Sequence, residues 1–163
     1  MRRLISFSYG DKLQFKWEEL TDTGIDTYQL TGKEPAAPEL LEMYNRFVLL
    51  FHSILPTPND IETVSRLLRI GKIQMKYEDN GAGGFNRFVS MTTSLYVGAA
   101  SSKASITLPF MIEAYDDGSL LPEGKLTDLI NDLEVECWKY IDGNRAQMHF
   151  DFEAAEEEHK EVE

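Results

Sequence analysis

Between Pro38 and Pro56, apolar side chains recur at Leu40, Leu41, Tyr44, Phe47, Val48, Phe51, Ile54 and Leu55. That spacing holds them on one side of a helix for about four turns. Pro38 suits the first turn, Glu39 complements the positive end of the helix, and Pro56 stops it. A stripe this broad has to be buried, so the chain must supply a second apolar layer to receive it.

The preceding residues supply one by alternation. Ile5, Phe7 and Tyr9 share one face, Gly10 and Asp11 turn the chain, and Leu13, Phe15 and Trp17 share a face again, which predicts a β-hairpin. Tyr28 and Leu30 predict a third strand. From Leu67 to Tyr77, Leu68 and Ile70 alternate, then Ile73, Met75 and Tyr77 continue after a shift at Gly71, which reads as a bulged strand or a tight hairpin. Gly81-Ala82-Gly83-Gly84 forms a flexible turn before a strand from Phe85 to Val97. Ser105 to Tyr115 reads as one more strand, with Ile106, Leu108, Phe110 and Ile112 on one face and Pro109 marking an edge. A second helix from about Leu126 buries Leu126, Leu129, Ile130, Leu133, Cys137 and Ile141, with Gly143 at its C-terminal cap. The expected fold is α+β, a largely antiparallel sheet of about five or six strands with two main helices packed on one face. Residues 1–150 read as a single domain and residues 151–163 as an acidic, disordered tail.

Charge narrows the partners. The formal charge of −12 is uneven, because Asp151 to Glu163 holds seven acids and one lysine. Duplex DNA binding needs clustered Lys and Arg and is not expected. A basic protein surface is the natural complement. With Cys137 as the sole cysteine, no intramolecular disulfide can form, and a small core residue in a reducing compartment is the simpler reading. The first residues lose apolar continuity too early for a signal peptide, and no apolar run approaches the roughly 18 residues of a membrane span. A cytoplasmic protein is expected.

Catalytic constellations are sparse. The glycine-rich run lacks the following helix and Lys-Ser or Lys-Thr pair of a phosphate loop. His52, His149 and His159 lack zinc-site spacing, so neither metal nor cofactor is expected. Pro58, Asp60, Gln74 and Lys76, or Asp116, Asp117, Glu123 and Lys125, echo the carboxylate and lysine set of a metal-dependent nuclease. No catalytic residue is assigned.

The strongest binding signal is Gln147-Met148-His149-Phe150-Asp151-Phe152, a glutamine followed at +3 and +5 by phenylalanines. The amide can exchange hydrogen bonds at the mouth of a pocket while the rings supply apolar area. The run resembles the bacterial sliding-clamp-binding peptide. It also has the alternation of a final strand that would turn Met148, Phe150 and Phe152 onto the sheet.

Two further segments, Leu30-Thr31-Gly32-Lys33-Glu34-Pro35-Ala36-Ala37-Pro38-Glu39-Leu40 and Glu136-Cys137-Trp138-Lys139-Tyr140-Ile141-Asp142-Gly143-Asn144-Arg145-Ala146-Gln147-Met148, resemble an uncharacterised family of bacteriophage and prophage proteins encoded among recombination and replication functions. The resemblance implies a mobile-element origin and no established activity. Members of that family end closer to Gln-Leu-x-Leu-Phe, whereas here His149, Phe150 and Asp151 intervene. The leading expectation is a non-enzymatic accessory protein that docks Gln147, Met148, Phe150 and Phe152 on a protein partner, with the sliding clamp as candidate. The alternatives are an acidic anti-defence inhibitor that mimics nucleic acid before a basic nucleic-acid-binding protein, and a metal-dependent nuclease.

Overall fold

Two side chains on the first hairpin, Phe7 and Phe15, are both fully buried and stack with ring centroids 5.0 Å apart. The rest of the sheet is arranged around them. The computed structural model describes residues 1–54, 68–97, 102–112 and 126–143. Within them run β1 (Arg2–Tyr9), β2 (Leu13–Thr21), β3 (Gly24–Gly32), α1 (Pro38–Ile54), β4 (Leu68–Asp79), β5 (Phe85–Val97), β6 (Ser102–Thr107), β7 (Met111–Ile112) and α2 (Leu126–Ile141). The spatial order is β3-β2-β1-β4-β5-β6, with β7 also paired to β5, and every pairing is antiparallel. The fold is therefore α+β, as the alternation and helical stripe predict.

Register turns the strand sequences into rows. Leu30, Phe15, Phe7, Ile73 and Met91 are successive partners across five strands and form the inner face. The neighbouring row, Thr31, Gln14, Ser8, Lys72, Thr92 and Thr107, crosses all six strands with only polar side chains. Alternation at every strand thus segregates an apolar face for the helices from a polar face for water. Tyr44 of α1 meets Phe7 edge-on at 5.3 Å, and Tyr140 of α2 stacks on Phe15 at 5.0 Å, so both helices dock on the same face.

Two bulges keep this pattern in phase. Gly71 falls at the register shift between Ile70 and Lys72, resolving the sequence alternatives in favour of one bulged strand. The second shift, between Leu4 and Ser6, corrects the expected hairpin face: Leu4 and Phe7 take the core positions, while Ile5 is the extra residue and is only half-buried. Helix α1 buries Leu40, Tyr44, Phe47, Val48, Leu50 and Phe51, adding Leu50 to the anticipated stripe and leaving Leu41 half-buried. Helix α2 buries Tyr140 where Ile141 was expected, because the ring reaches Phe15.

The strand expected over Ser105 to Tyr115 divides. Residues 108–110 interrupt the ladder: the Leu108 N–H bonds the Met91 carbonyl, and the Leu108 carbonyl accepts the Ser90 hydroxyl at 2.6 Å. Pro109 cannot donate to the ladder, and Phe110 turns outward with 46% exposure instead of joining the core. The edge position that Pro109 implied is correct.

Gly32 marks the tightest approach. A Cβ there would overlap the Tyr140 ring, so the absent side chain is what lets α2 close on the β2–β3 end of the sheet. Gly32→Ala is expected to destabilise the fold by about 2 kcal/mol through this overpacking, measured as a lower urea midpoint with unchanged m-value.

Candidate partner-binding surface

The C-terminal end of α2 is fixed to the sheet by side chains from both ends of the sequence. The Arg2 guanidinium donates to both Asp142 carboxylate oxygens at 2.8 and 3.1 Å and lies 4.6 Å from the Trp138 ring. Trp138 in turn meets Trp17 edge-on at 6.3 Å, and Trp17 stacks on Tyr28 at 5.5 Å. Two residues further along α2, the Tyr140 hydroxyl donates to the Glu34 carbonyl at 2.6 Å. The helix closes at Gly143, whose φ of +103° and N–H bond to Tyr140 match the cap the sequence predicts. The Arg2 hydrogen bond holds the Asp142 carboxyl below the usual carboxylate range, and the Arg2 guanidinium is pushed up by the same bond. The C-terminal end of α2 is therefore held against the sheet as far as Asp142.

Gln147, Met148, Phe150 and Phe152 lie outside the described residues, as do His149, His159 and the acidic tail. Of the nuclease echoes, Pro58, Asp60, Asp116, Asp117, Glu123 and Lys125 also lie outside them. Gln74 and Lys76 stand on the polar face of β4, where Gln74 pairs across the sheet with Ser6 and Ser90, and Lys76 pairs with Glu78. No group of three or more metal-ligating side chains assembles among the described residues. His52 is half-buried on α1 with its Nδ1 unpartnered. Cys137 is a buried core residue whose thiol is pushed up by burial and by Glu134 and Glu136, which leaves it protonated and unreactive.

The glycine-rich run is a hairpin turn. Gly81 and Gly83 have φ of +72° and +79°, and the Asn80 side-chain oxygen accepts the N–H groups of Ala82 and Gly84. Those amides are thus directed into the turn.

A polar network beneath α2 has no counterpart in the motif reading. Glu134 receives Arg87 at 3.1 Å and the Tyr77 hydroxyl at 3.0 Å, and that hydroxyl is also 3.0 Å from the Leu4 carbonyl. Its single proton is shared between the two acceptors. Arg87 also donates to Asn131 at 2.7 Å. Arg3, only 8% exposed, lies 5.0 Å from both the Tyr77 and Phe85 rings and pairs with Glu18 at 3.1 Å. The network fills the place where β1, bulged at Ile5, no longer pairs with β4. The available signal was Glu134 itself, an acid flanked at −4 and +3 by the core residues Ile130 and Cys137.

Burial and then the Glu134 charge push the Tyr77 phenol above its ordinary value, and burial with Tyr9 does the same to Tyr44. A folded-state pKa above the unfolded value near 10 gives stability that is complete below about pH 10 and lost as pH rises further. Urea midpoints are expected to fall above about pH 10, with a shallower fall in Tyr77→Phe; an identical pH profile in that variant would contradict the assignment.

Comparison of the chain with protein-family models, curated proteins and solved structures finds no match. No helix among the described residues is long and apolar enough to cross a membrane.

Proposed function

We propose that this protein is a non-enzymatic accessory adaptor that presents the peptide after α2 to a protein of bacterial DNA metabolism, with the sliding clamp as the candidate partner. The observation that carries the reading is the anchorage of α2 through Arg2–Asp142, Trp138–Trp17 and Tyr140–Glu34, which ends five residues before Gln147. A docking peptide gains from a firm base, because restricting its point of departure lowers the ordering cost of binding. Gln147 would supply the amide, and Met148, Phe150 and Phe152 the apolar anchors. The resemblance that the segments 30–40 and 136–148 bear in sequence to bacteriophage and prophage proteins would suit this reading, and the bacterial cytoplasm is where the partner would be met.

Over the described residues, the charge pattern favours an adaptor over a nucleic-acid mimic. Acids and bases among the described residues nearly balance, fifteen against twelve, and Arg3, Arg46 and Arg87 are paired with Glu18, Asp132 and Glu134. A mimic of the phosphate ladder requires an unpaired run of acids on one face, and interspersed Arg and Lys cancel its field.

The adaptor reading predicts that the whole protein binds purified bacterial sliding clamp in fluorescence anisotropy. Replacing Gln147, Phe150 and Phe152 together by Ala should weaken that binding by more than about thirtyfold, since one buried aromatic anchor alone accounts for about 2 kcal/mol. Equal binding by the wild type and the triple variant, or none by either, would refute it.

A further inference from the structure

The two edges of the sheet are built differently. The β6–β7 edge is short, broken at residues 108–110, and carries Lys103 and Pro109, all features that discourage pairing with another chain. Strand β3 has none of them. Its nine residues, Gly24–Gly32, pair with β2 in unbroken register, include no proline or basic residue, and hold Asp26 as their one charge. Among the described residues β3 pairs only with β2, so its other side offers a full row of backbone donors and acceptors. Ile25 and Tyr28 are 57% and 41% exposed along it.

We propose that β3 is a homodimer edge, at which a second copy of this chain adds its own β3 antiparallel about a dyad at Tyr28, independently of the adaptor reading. The strand is self-complementary in that register. Ile25 meets Thr31, Asp26 meets Leu30, Thr27 meets Gln29 and Tyr28 meets Tyr28, so the single acid faces an apolar side chain and no like charges oppose each other. The Tyr28 pair extends the row Leu4, Trp17 and Tyr28 into the partner, joining two aromatic ladders across the dyad. Closure by two-fold symmetry removes both β3 edges, so assembly stops at the dimer.

Sedimentation velocity of the full chain over a concentration series, in salt sufficient to screen the −12 charge of each copy, should resolve a monomer–dimer equilibrium. Thr27 and Gln29 are exposed on the polar face opposite Glu18 and Lys16 of β2, so substitutions there spare the core. Q29K alone, which meets Lys16 within the chain but Thr27 across the dyad, should dimerise as the wild type does. The double variant T27K/Q29K places Lys against Lys twice across the dyad and should weaken dimerisation by about tenfold or more. T27K/Q29E places Lys against Glu twice in the same register and should restore the wild-type constant to within about threefold. Circular dichroism on each variant separates loss of pairing from loss of fold. A wild-type monomer at every concentration overturns the proposal, whether the edge is then taken by another protein or by residues of this chain. A dimer indifferent to T27K/Q29K overturns it, as does T27K/Q29E failing to recover.

Discussion

The stack of Phe7 on Phe15, with Tyr44 set against the first ring and Tyr140 against the second, is the contact on which the architecture depends. It joins two adjacent strands to two helices far apart in sequence, and all four rings are buried. Removing either phenylalanine would leave a cavity beneath a helix, a class of change that costs about 3–5 kcal/mol in a packed core. The stack also explains Gly32, because α2 can place Tyr140 over Phe15 only where the neighbouring strand has no side chain in its path.

From that stack the register propagates. Bulges at Ile5 and Gly71 each absorb one residue, and without them Leu4 or the pair Leu68 and Ile70 would rotate to the polar face. The Ile5 bulge has a second effect. It parts β1 from β4, and the opening is occupied by Arg3, Tyr77, Glu134 and Arg87, so an irregularity in one strand creates the polar bond between α2 and the sheet.

The helices, the antiparallel sheet, the Gly71 bulge, the hairpin turn at Gly81 and Gly83 and the edge at Pro109 were legible because each has a local cause in periodicity or backbone preference. The Ile5 bulge was not, since Ile carries no bulge signature and the false alternation Ile5, Phe7, Tyr9 is as regular as the true face. Tyr140 was displaced by Ile141 in the sequence reading because helical spacing admits both and only the partner Phe15 decides. Arg2–Asp142 joins positions 140 residues apart, and no local pattern announces such a pair. The run from Gln147 to Phe152 was legible only as a motif, and it lies outside the described residues.

Direct binding of a fluorescent peptide comprising residues 144–163 to purified sliding clamp, followed by anisotropy, isolates the step on which the functional account turns. The account predicts saturable binding, competed by the whole protein, with the whole protein the tighter of the two because α2 restricts the point of departure. A peptide that fails to bind while the whole protein binds would move the recognition surface onto the folded domain and contradict the account.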